Sequence, residues 1–585
     1  MKPEICVLVL FFHASLSCWK RYGKPRVEDN PLVCLEDAES GPCFQGSWLT
    51  TIKGNRFASF QGIRYAEPPV GELRFKSPQP FTYQSDSVVD VSATSTVMCT
   101  QYAGGTEPAG QEDCLILNVY VPESALADNE QRAVMVWIHG GGLVVGSNAI
   151  DTGDKYSPFP LIDNDVIVVA INYRLSYLGF MFMGTEDVPG NAGLRDQSMA
   201  LTWVRDNIAQ FGGDPGQVTL FGQSAGSWSV SYHLSSPLSS GLFQRVIMQS
   251  GTSVSQSSSP VTPERALRAQ QIVAEFLNCT QATTDEVLQC MQSRDALDLV
   301  NQANFVEADG GYSAPVVDAG QGWSDPFFPD TPENIFNSGD FNKDIEVMIG
   351  ETIRDNPILI LFTYCCWFSG TTKDEAILFF MPYLNGTLPW EDVQDMFESF
   401  VVQIMFNIPP PLITEDDIAR AKEILAFYVG SVEDINEDNS QKFLNMITDS
   451  NFLYGSYKQV NHLLGHGVPT YQYILTYQGS HSYTNYAGYP SFGVCHGDDL
   501  QYLFEPSIIA DSLEGEDALV KETMSRAWTN FAKTGDPSPP GSDLTWSPVQ
   551  TAESHEILNI DGSEPVMTVD TDIDQRMQFW DSVSQ

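Results

Sequence analysis

The stretch Val218-Thr-Leu-Phe-Gly-Gln-Ser-Ala-Gly226 decides the fold of this chain. Its first four residues predict a buried strand, and the residues after it can start a helix. Glycines two positions before and after Ser224 allow a sharp strand-to-helix turn that points the hydroxyl out of the sheet. The helix N-terminus then faces negative charge that develops at the serine. The bare glycine-serine-glycine pattern arises often by chance, so the strand and the helix around it carry the prediction of a nucleophile.

A second motif lies earlier, where the apolar run Val134–Ile138 leads straight into His139-Gly140-Gly141-Gly142. Three consecutive glycines leave their amide N–H groups unshielded. A tetrahedral intermediate at an ester carbon needs such donors in place, and the amides of Gly141, Gly142 and Ala225 are the natural set. An ordinary flexible loop is the alternative. A glycine run and a serine turn, each directly after a strand, favour an oxyanion hole.

Strand and helix patterns alternate around these motifs. A helical spacing of apolar residues over 193–211 lies between predicted strands, and a helix over 514–533 ends before Gly535. Near-continuous apolar strands are typical of a parallel sheet covered on both faces, where functional residues gather at the carboxyl ends of strands. The sequence therefore predicts an α/β fold. The further predicted strands cover residues 165–171, 245–248, 345–349 and 471–475.

The chain of 585 residues begins with a secretory signal pattern. Lys2, the apolar run 5–12 and the small residues Ser15 and Ser17 occur in the order that such signals require. This segment is too short to cross a bilayer, which needs about 20 apolar residues. We expect residues 1–18 to be a signal peptide, and residues 19–585 to form one secreted domain without a membrane anchor, since no repeat or long linker divides them.

Eleven cysteines fit an oxidising compartment. Cys34 with Cys43, Cys99 with Cys114, and Cys279 with Cys290 have suggestive spacings, although sequence alone does not fix pairing. Glycosylation sequons begin at Asn278 and Asn385, which agrees with secretion. Partners remain open for Cys18, Cys365, Cys366 and Cys495.

The formal net charge is -45, from 75 acidic and 30 basic residues. Nucleic acids and anionic membranes would be repelled by such a chain, so binding to either is excluded as a function class. The acidic composition is explained by solubility. Neither a metal nor a cofactor is expected.

A nucleophilic serine needs a base and an acid that orients the base. His496 lies late in the chain, after a polar loop, as the order serine, acid, histidine requires. For the acid, the loop after the strand at 345–349 offers Asp355 as first choice and Glu351 as the alternative. His462 and His466 have a ligand spacing, but no third ligand accompanies them, so a structural role is favoured.

These residues, with motifs spread along nearly the whole mature chain, resemble the type-B carboxylesterase/cholinesterase family of α/β-hydrolases. The motifs are Phe60–Phe75, Glu112–Tyr120, Asn172–Leu175, Gly193–Gln197, Gly222–Gly226, Gly241–Phe243, Gln249–Gly251 and Trp528–Gly535.

The resemblance implies the α/β-hydrolase fold and an ester hydrolase with Ser224 as nucleophile, His496 as base and an acid where Asp355 stands. It also implies the disulfides Cys99–Cys114 and Cys279–Cys290, and structural ion pairs of Arg74 with Glu112 and Arg174 with Asp196. Gln223 and the N-terminal motifs resemble arthropod members, including enzymes similar to juvenile hormone esterase.

Three departures from the family pattern affect the expected chemistry. The family usually has Glu-Gly at the acid, where this chain has Asp355-Asn356. Leu143 stands where an aromatic residue is common, which indicates a differently shaped acyl side. The segment from Cys99 to Cys114 has no tryptophan, and choline esters are therefore disfavoured.

Two hypotheses follow. The first is a secreted serine carboxylesterase that acts through an acyl-enzyme on small to medium apolar esters of xenobiotic, hormonal or dietary origin. The second is a catalytically idle, secreted binding protein on the same fold, suggested by Asp355-Asn356. The oligomeric state is left open.

Overall fold

A computed structural model gives the architecture of residues 30–583, and its description omits residues 36–40, 85–86, 102–108, 129, 150–156, 257, 301–313, 321, 353–388, 407, 409–412, 483–493, 506–512, 542–543 and 553–554. Its centre is an eleven-stranded sheet, accompanied by a three-stranded and a two-stranded sheet. The strands are β1 (Leu32–Cys34), β2 (Cys43–Gln45), β3 (Ser47–Thr50), β4 (Arg56–Arg64), β5 (Val88–Asp90), β6 (Ile116–Pro122), β7 (Arg132–Ile138), β8 (Ile167–Ile171), β9 (Phe182–Thr185), β10 (Val188–Pro189), β11 (Gly213–Gln223), β12 (Arg245–Gln249), β13 (Glu346–Thr352), β14 (Thr470–Leu475), β15 (Glu556–Ile560) and β16 (Val566–Val569).

The large sheet is parallel in its middle and antiparallel toward both edges. Its strand order is β16-β15-β14-β13-β12-β11-β7-β8-β6-β4-β3. Neighbours from β15 to β8 pair in parallel, while β16, β6, β4 and β3 add antiparallel pairs. The predicted α/β class is therefore confirmed. The strand β11 lies between β12 and β7, so the serine motif leaves the sheet at its centre.

Helices cover both faces of this sheet. They are α1 (Glu123–Ala127), α2 (Phe159–Ile162), α3 (Ser176–Phe180), α4 (Ala192–Asn207), α5 (Ala225–Ser235), α6 (Pro263–Phe276), α7 (Thr284–Gln292), α8 (Pro332–Ser338), α9 (Glu391–Asp395), α10 (Val402–Phe406), α11 (Glu415–Tyr428), α12 (Ser440–Thr448), α13 (Tyr454–Gly465), α14 (Leu500–Leu503), α15 (Gly515–Thr534) and α16 (Thr571–Val583). The helices predicted over 193–211 and 514–533 correspond to α4 with its short 3₁₀ continuation and to α15.

The strand β7 shows why its sequence is apolar throughout. Val134, Val136 and Ile138 belong to one hydrophobic cluster, while Met135 and Trp137 belong to another on the opposite face. Side chains alternate between the faces of a strand, so both faces must be apolar when both are covered. Helix α5 contributes to the first cluster and helix α15 to the second.

A third cluster brings together the helices α9 to α13 and the C-terminal helix α16. Within it a π-helical segment, Asp449–Leu453, connects α12 to α13. Arg576 of α16 donates to both carboxylate oxygens of Asp449 at 2.6 Å. This ion pair fixes the π-helical segment to the C-terminal helix, and the same segment carries Phe452 toward the site described below.

Three disulfides join Cys34 to Cys43, Cys99 to Cys114 and Cys279 to Cys290. They are the pairs whose spacing is suggestive in the sequence. Cys495 is buried, and its thiol donates to a carboxylate oxygen of Asp498 at 3.4 Å. Cys18, Cys365 and Cys366 lie outside the described residues. In the described part of the chain, none of the helices has the length and apolar character that crossing a membrane requires.

Candidate active site

Ser224 occupies the junction between β11 and α5. Its backbone has φ 58° and ψ -126°, a combination that is unusual for a residue with a side chain. The N–H of Ser224 donates to the carbonyl of Gln249 on β12 at 2.9 Å, and its own carbonyl accepts from Trp228 at 2.9 Å. These bonds hold the turn from both sides. Ser224 therefore sits at the carboxyl end of a central strand, in the strained turn that its motif predicts.

The two glycines of the motif are required by close packing. A Cβ on Gly222 would lie 2.6 Å from the backbone of Gly226 and 2.8 Å from the carbonyl oxygen of Ile138. A Cβ on Gly226 would overlap that same carbonyl oxygen. The turn and the end of β7 thus touch through bare backbone. This contact places the serine turn directly against the start of the glycine run.

The glycine run continues this close packing. A Cβ on Gly140 would lie 2.7 Å from the carbonyl oxygen of Gln223 and 3.1 Å from the Cβ of Ser224. Gly141 and Gly142 then adopt positive φ angles of 104° and 61°. The carbonyl of Gly141 accepts from Val144 and Val145 at 3.0 Å. Gly140, at the start of the predicted oxyanion loop, is therefore a direct neighbour of Ser224.

His139 is fixed beside this loop by Tyr173. The two rings stack with centroids 4.5 Å apart. The Tyr173 hydroxyl donates to the carbonyl of His139 at 2.9 Å, and Nδ1 of His139 lies 2.9 Å from the carbonyl of Gly140. This histidine therefore supports the loop backbone from behind.

His496 reaches the serine turn through Gln223. The side-chain amide nitrogen of Gln223 lies 2.6 Å from Nε2 of His496. The ring centroid of Phe452 lies 4.9 Å from that of the imidazole. His496 is half-buried, and the loss of hydration in these surroundings lowers its pKa to about 3. The ring is thus neutral at physiological pH, as a general base must be.

The turn that carries His496 is tied to β12. Asp499, three residues later, accepts from the side-chain amide of Gln249 at 2.7 Å and from the Tyr473 hydroxyl at 3.2 Å. Gln249 is the residue whose carbonyl holds the Ser224 N–H. One residue therefore contacts both the serine turn and the histidine turn. Burial raises the pKa of Asp499 to about 6.

Glu351 is the alternative acid. It is buried at the end of β13, where it accepts from the Ser456 hydroxyl. Burial, with a smaller contribution from the nearby carboxylate of Asp499, raises the pKa of Glu351 to about 8. Glu351 is therefore protonated at neutral pH. A neutral carboxyl group is unsuited to stabilising an imidazolium.

The first choice for the acid, the two sequon asparagines and the pair His462 and His466 are the remaining residues that the sequence indicates. Asp355, the first choice for the acid, and Asn385 lie outside the described residues. Asn278 is exposed beside Cys279. His462 lies 3.2 Å from Glu333, and His466 contacts the carbonyl of Phe336 at 2.9 Å.

The two ion pairs implied by the resemblance are present. Arg74 contacts Glu112 at 2.6 Å, and Arg174 contacts Asp196 at 2.7 Å. Asp196 is fully buried and its partner nearly so, so this pair belongs to the interior that supports the loops around the site.

Sequence reasoning missed the polar network around His496. In the sequence Gln223 indicates only a subgroup of the family, and no pattern assigns a role to Gln249, Asp499 or Phe452. A signal for Gln249 does exist, because the end of β12 must face the end of β11 in a parallel sheet. The contact of Phe452 depends on the folding of a distant helical segment, for which local sequence gives no signal.

The comparisons with known proteins agree with this architecture. The carboxylesterase family model matches residues 40–580. Juvenile hormone esterase of Tribolium castaneum is 32% identical, with 99% of this chain and 97% of that protein aligned. Esterase FE4 of Myzus persicae is also 32% identical, over 93% of this chain and 90% of that protein.

A solved structure is also similar. The crystal structure of juvenile hormone esterase from Manduca sexta, with OTFP covalently attached, superposes with a TM-score of 0.79 at 27% identity, covering 95% of this chain and 100% of that one. Family match, full-length relatives and fold thus coincide with a strained serine turn packed on a glycine run, and the chain belongs to the carboxylesterase family as a carboxylic ester hydrolase.

Proposed function

We propose that this protein is a secreted serine carboxylesterase that cleaves small to medium apolar esters through an acyl-enzyme. Ser224 is the nucleophile, His496 the base and Asp355 the acid, in one domain spanning residues 19–585. The observation that carries this proposal is the strained conformation of Ser224 against the bare backbone of Gly140. That contact supports the proposal that the Ser224 hydroxyl and the amide donors of the glycine run lie side by side.

The chemistry follows from this arrangement. Nε2 of His496 takes the proton of Ser224 as its oxygen attacks the ester carbonyl, and the amides of Gly141, Gly142 and Ala225 stabilise the oxyanion. Ala225 is the first residue of α5, so its N–H has no acceptor within the helix. Departure of the alcohol leaves an acyl-serine. Water activated by His496 then releases the acid.

The first experiment measures hydrolysis of p-nitrophenyl acetate and labelling by a fluorophosphonate probe. We expect Ser224→Ala to lower kcat by a factor approaching roughly 10⁶ and to abolish labelling. The matched control is Ser235→Ala at the other end of the same helix, where the hydroxyl donates only locally to the carbonyl of Tyr232 at 2.9 Å. A wild-type protein that neither hydrolyses the ester nor takes the probe would contradict the proposal and favour the idle binding protein.

The acid is tested by two matched substitutions. Asp355→Asn is expected to lower kcat by up to about 10⁴, because the imidazole loses the group that fixes its tautomer. Glu351→Gln is expected to retain most activity, because Glu351 is already neutral and bonded to Ser456. The reverse ranking of these two variants would move the role of the acid to Glu351.

The substrate class rests on the names of relatives and on the absence of a tryptophan between Cys99 and Cys114. We expect kcat/KM to rise from acetyl to medium-chain p-nitrophenyl esters and to be low for choline esters. Juvenile hormone, named in two of the relatives, is one candidate within this class. Equal or higher activity on butyrylthiocholine than on uncharged esters would contradict this assignment.

Secretion is supported by the signal pattern at the N-terminus, by three disulfides and by the exposed Asn278 of a sequon. Expression of the full chain in insect cells tests it. We expect the protein in the medium, starting close to Cys18 and shifted in mass by glycosidase treatment. Retention in the cytosol with Met1 intact would overturn it.

A further inference from the structure

We propose that Gln223 is a positioning residue that holds His496 in the tautomer required for general-base catalysis. This inference rests on the proposed function, since it assigns His496 the role of base. It starts from the 2.6 Å contact between the amide nitrogen of Gln223 and Nε2 of His496.

The direction of this hydrogen bond follows from elementary chemistry. A side-chain amide nitrogen carries two hydrogens and does not accept hydrogen bonds. Nε2 of His496 must therefore accept, which places the lone pair on Nε2 and the single ring proton on Nδ1. A base that takes a proton from a serine needs this tautomer, with Nε2 free of hydrogen and Nδ1–H directed to the acid.

The position of Gln223 allows it to do this. It is the residue before Ser224, it is 5% exposed, and its side-chain oxygen lies on the side of Gly140. Its backbone is fixed by pairing with Gln249 across the parallel strands. The amide is thus held between the oxyanion loop and the imidazole. For the reaction to begin, the hydroxyl of the adjacent Ser224 must replace it at the same lone pair.

The carboxyl groups of the His496 turn and of the end of β13 have other partners. Asp498 accepts from Ser482 at 2.6 Å and from the Cys495 N–H at 2.8 Å. Asp499 accepts from Gln249, and Glu351 accepts from Ser456. The packed face contributed by the π-helical segment is the apolar ring of Phe452. Among the described residues, Gln223 is therefore the polar group placed to orient the ring from its Nε2 side.

This role has particular weight in this chain. The usual way to fix the tautomer is a carboxylate at Nδ1, and this chain departs from its family there, with Asp355-Asn356 in place of Glu-Gly. A donor at Nε2 selects the same tautomer from the opposite side of the ring. The imidazole is then oriented correctly before substrate binds.

The test compares Gln223→Met with Gln223→Glu in the full-length secreted protein. Met has a similar length and cannot donate, so we expect kcat for p-nitrophenyl acetate to fall about tenfold while KM changes less than twofold. Glu places a carboxylate against the ring and stabilises the imidazolium. We expect the Glu variant to shift the midpoint of the acid limb in the pH profile of kcat/KM to higher pH, by at least about one pH unit.

The matched control is Gln197→Met, the same change at a fully buried glutamine that bonds Ser229 and His233 in the interior. It is expected to lower Tm without altering kcat or the pH profile. If Gln223→Met keeps the wild-type kcat and Gln223→Glu leaves the acid limb in place, the proposal is wrong.

The failure of this proposal differs from the failure of the proposed function. In the first case wild type remains active and takes a fluorophosphonate at Ser224, while the Gln223 variants behave like wild type. In the second case wild type itself is inert to both reagents. A folded Gln223→Glu variant, shown by an unchanged Tm, keeps the test valid if Gln223→Met fails to fold.

Discussion

The two halves of the site are built by different physical means. The serine half consists of backbone packed on backbone, with Gly222, Gly226 and Gly140 at distances that leave no room for a Cβ. The histidine half consists of side chains, with Gln223, Gln249 and Phe452 converging on the turn of His496 and Asp499. Steric exclusion tolerates no substitution, whereas hydrogen-bonded contacts can be weakened by degrees. Substitutions in the serine half should therefore cause large losses of activity, whereas substitutions in the histidine half should cause graded ones.

Among the substitutions that compare the two halves, the largest effect is expected for Gly226→Ala. The added methyl group would overlap the carbonyl oxygen of Ile138, so either the serine turn or the end of β7 must move. A shift of about 1 Å at the nucleophile costs roughly 10²-fold in rate, and the overpacking costs about 1–3 kcal/mol of stability. The measurement is kcat for a p-nitrophenyl ester together with Tm.

The control for this substitution is Gly465→Ala at the exposed end of α13, where a Cβ meets no atom within 4 Å. It should leave activity unchanged and leave stability equal or slightly higher. Wild-type activity in Gly226→Ala would break the comparison, since the serine half would then tolerate a side chain.

A smaller loss is expected for Gln249→Met in the histidine half. The backbone carbonyl that holds the Ser224 N–H remains, while Asp499 loses its 2.7 Å amide donor and keeps the Tyr473 hydroxyl. Leaving a buried acceptor partly unsatisfied costs about 1–3 kcal/mol. We expect kcat to fall about tenfold with KM nearly constant. A loss as severe as that of Gly226→Ala would mean that the two halves do not differ in the way described.

A third prediction concerns the dependence of stability on pH. The pKa of Glu351 is raised from 4.5 to about 8 and that of Asp499 from 3.8 to about 6. The folded state therefore binds more protons than the unfolded state over this window, and stability must decrease as pH rises through it. The contribution of these two carboxyl groups to the free energy of unfolding is fully present below about pH 4 and is lost as pH passes about 8.

Glu351→Gln separates this contribution from the rest, because the amide is neutral at every pH. We expect Tm of wild type to fall between pH 5 and pH 8 more steeply than that of the variant. The difference corresponds to at least about 1.4 kcal/mol, the equivalent of one pKa unit. Parallel Tm curves would show that Glu351 is ionised in the folded protein.

The same division explains what the sequence could predict. The serine turn, the glycine run and the central strands follow from local patterns, because glycine spacing and apolar runs act over a few residues. The spacing of the cysteines also suggests the three disulfide pairs, and the late position of His496 indicates that it is the base. The contacts of Gln249 with Asp499 and of Phe452 with His496 join residues 250 and 44 positions apart. Such contacts depend on side-chain orientations that only the folded chain defines.

The smallest effect is expected for Tyr173→Phe, which tests whether backbone packing alone holds the glycine run. The substitution removes the 2.9 Å hydrogen bond to the carbonyl of His139 and leaves the ring stacked on the imidazole. A buried hydrogen bond of this type contributes about 1 kcal/mol. If contact between Gly140 and the serine turn fixes the loop, kcat should change less than threefold while Tm falls slightly. A loss of activity near that of Gly226→Ala would instead show that a side chain positions the oxyanion donors. The serine half would then depend on the same kind of contact as the histidine half.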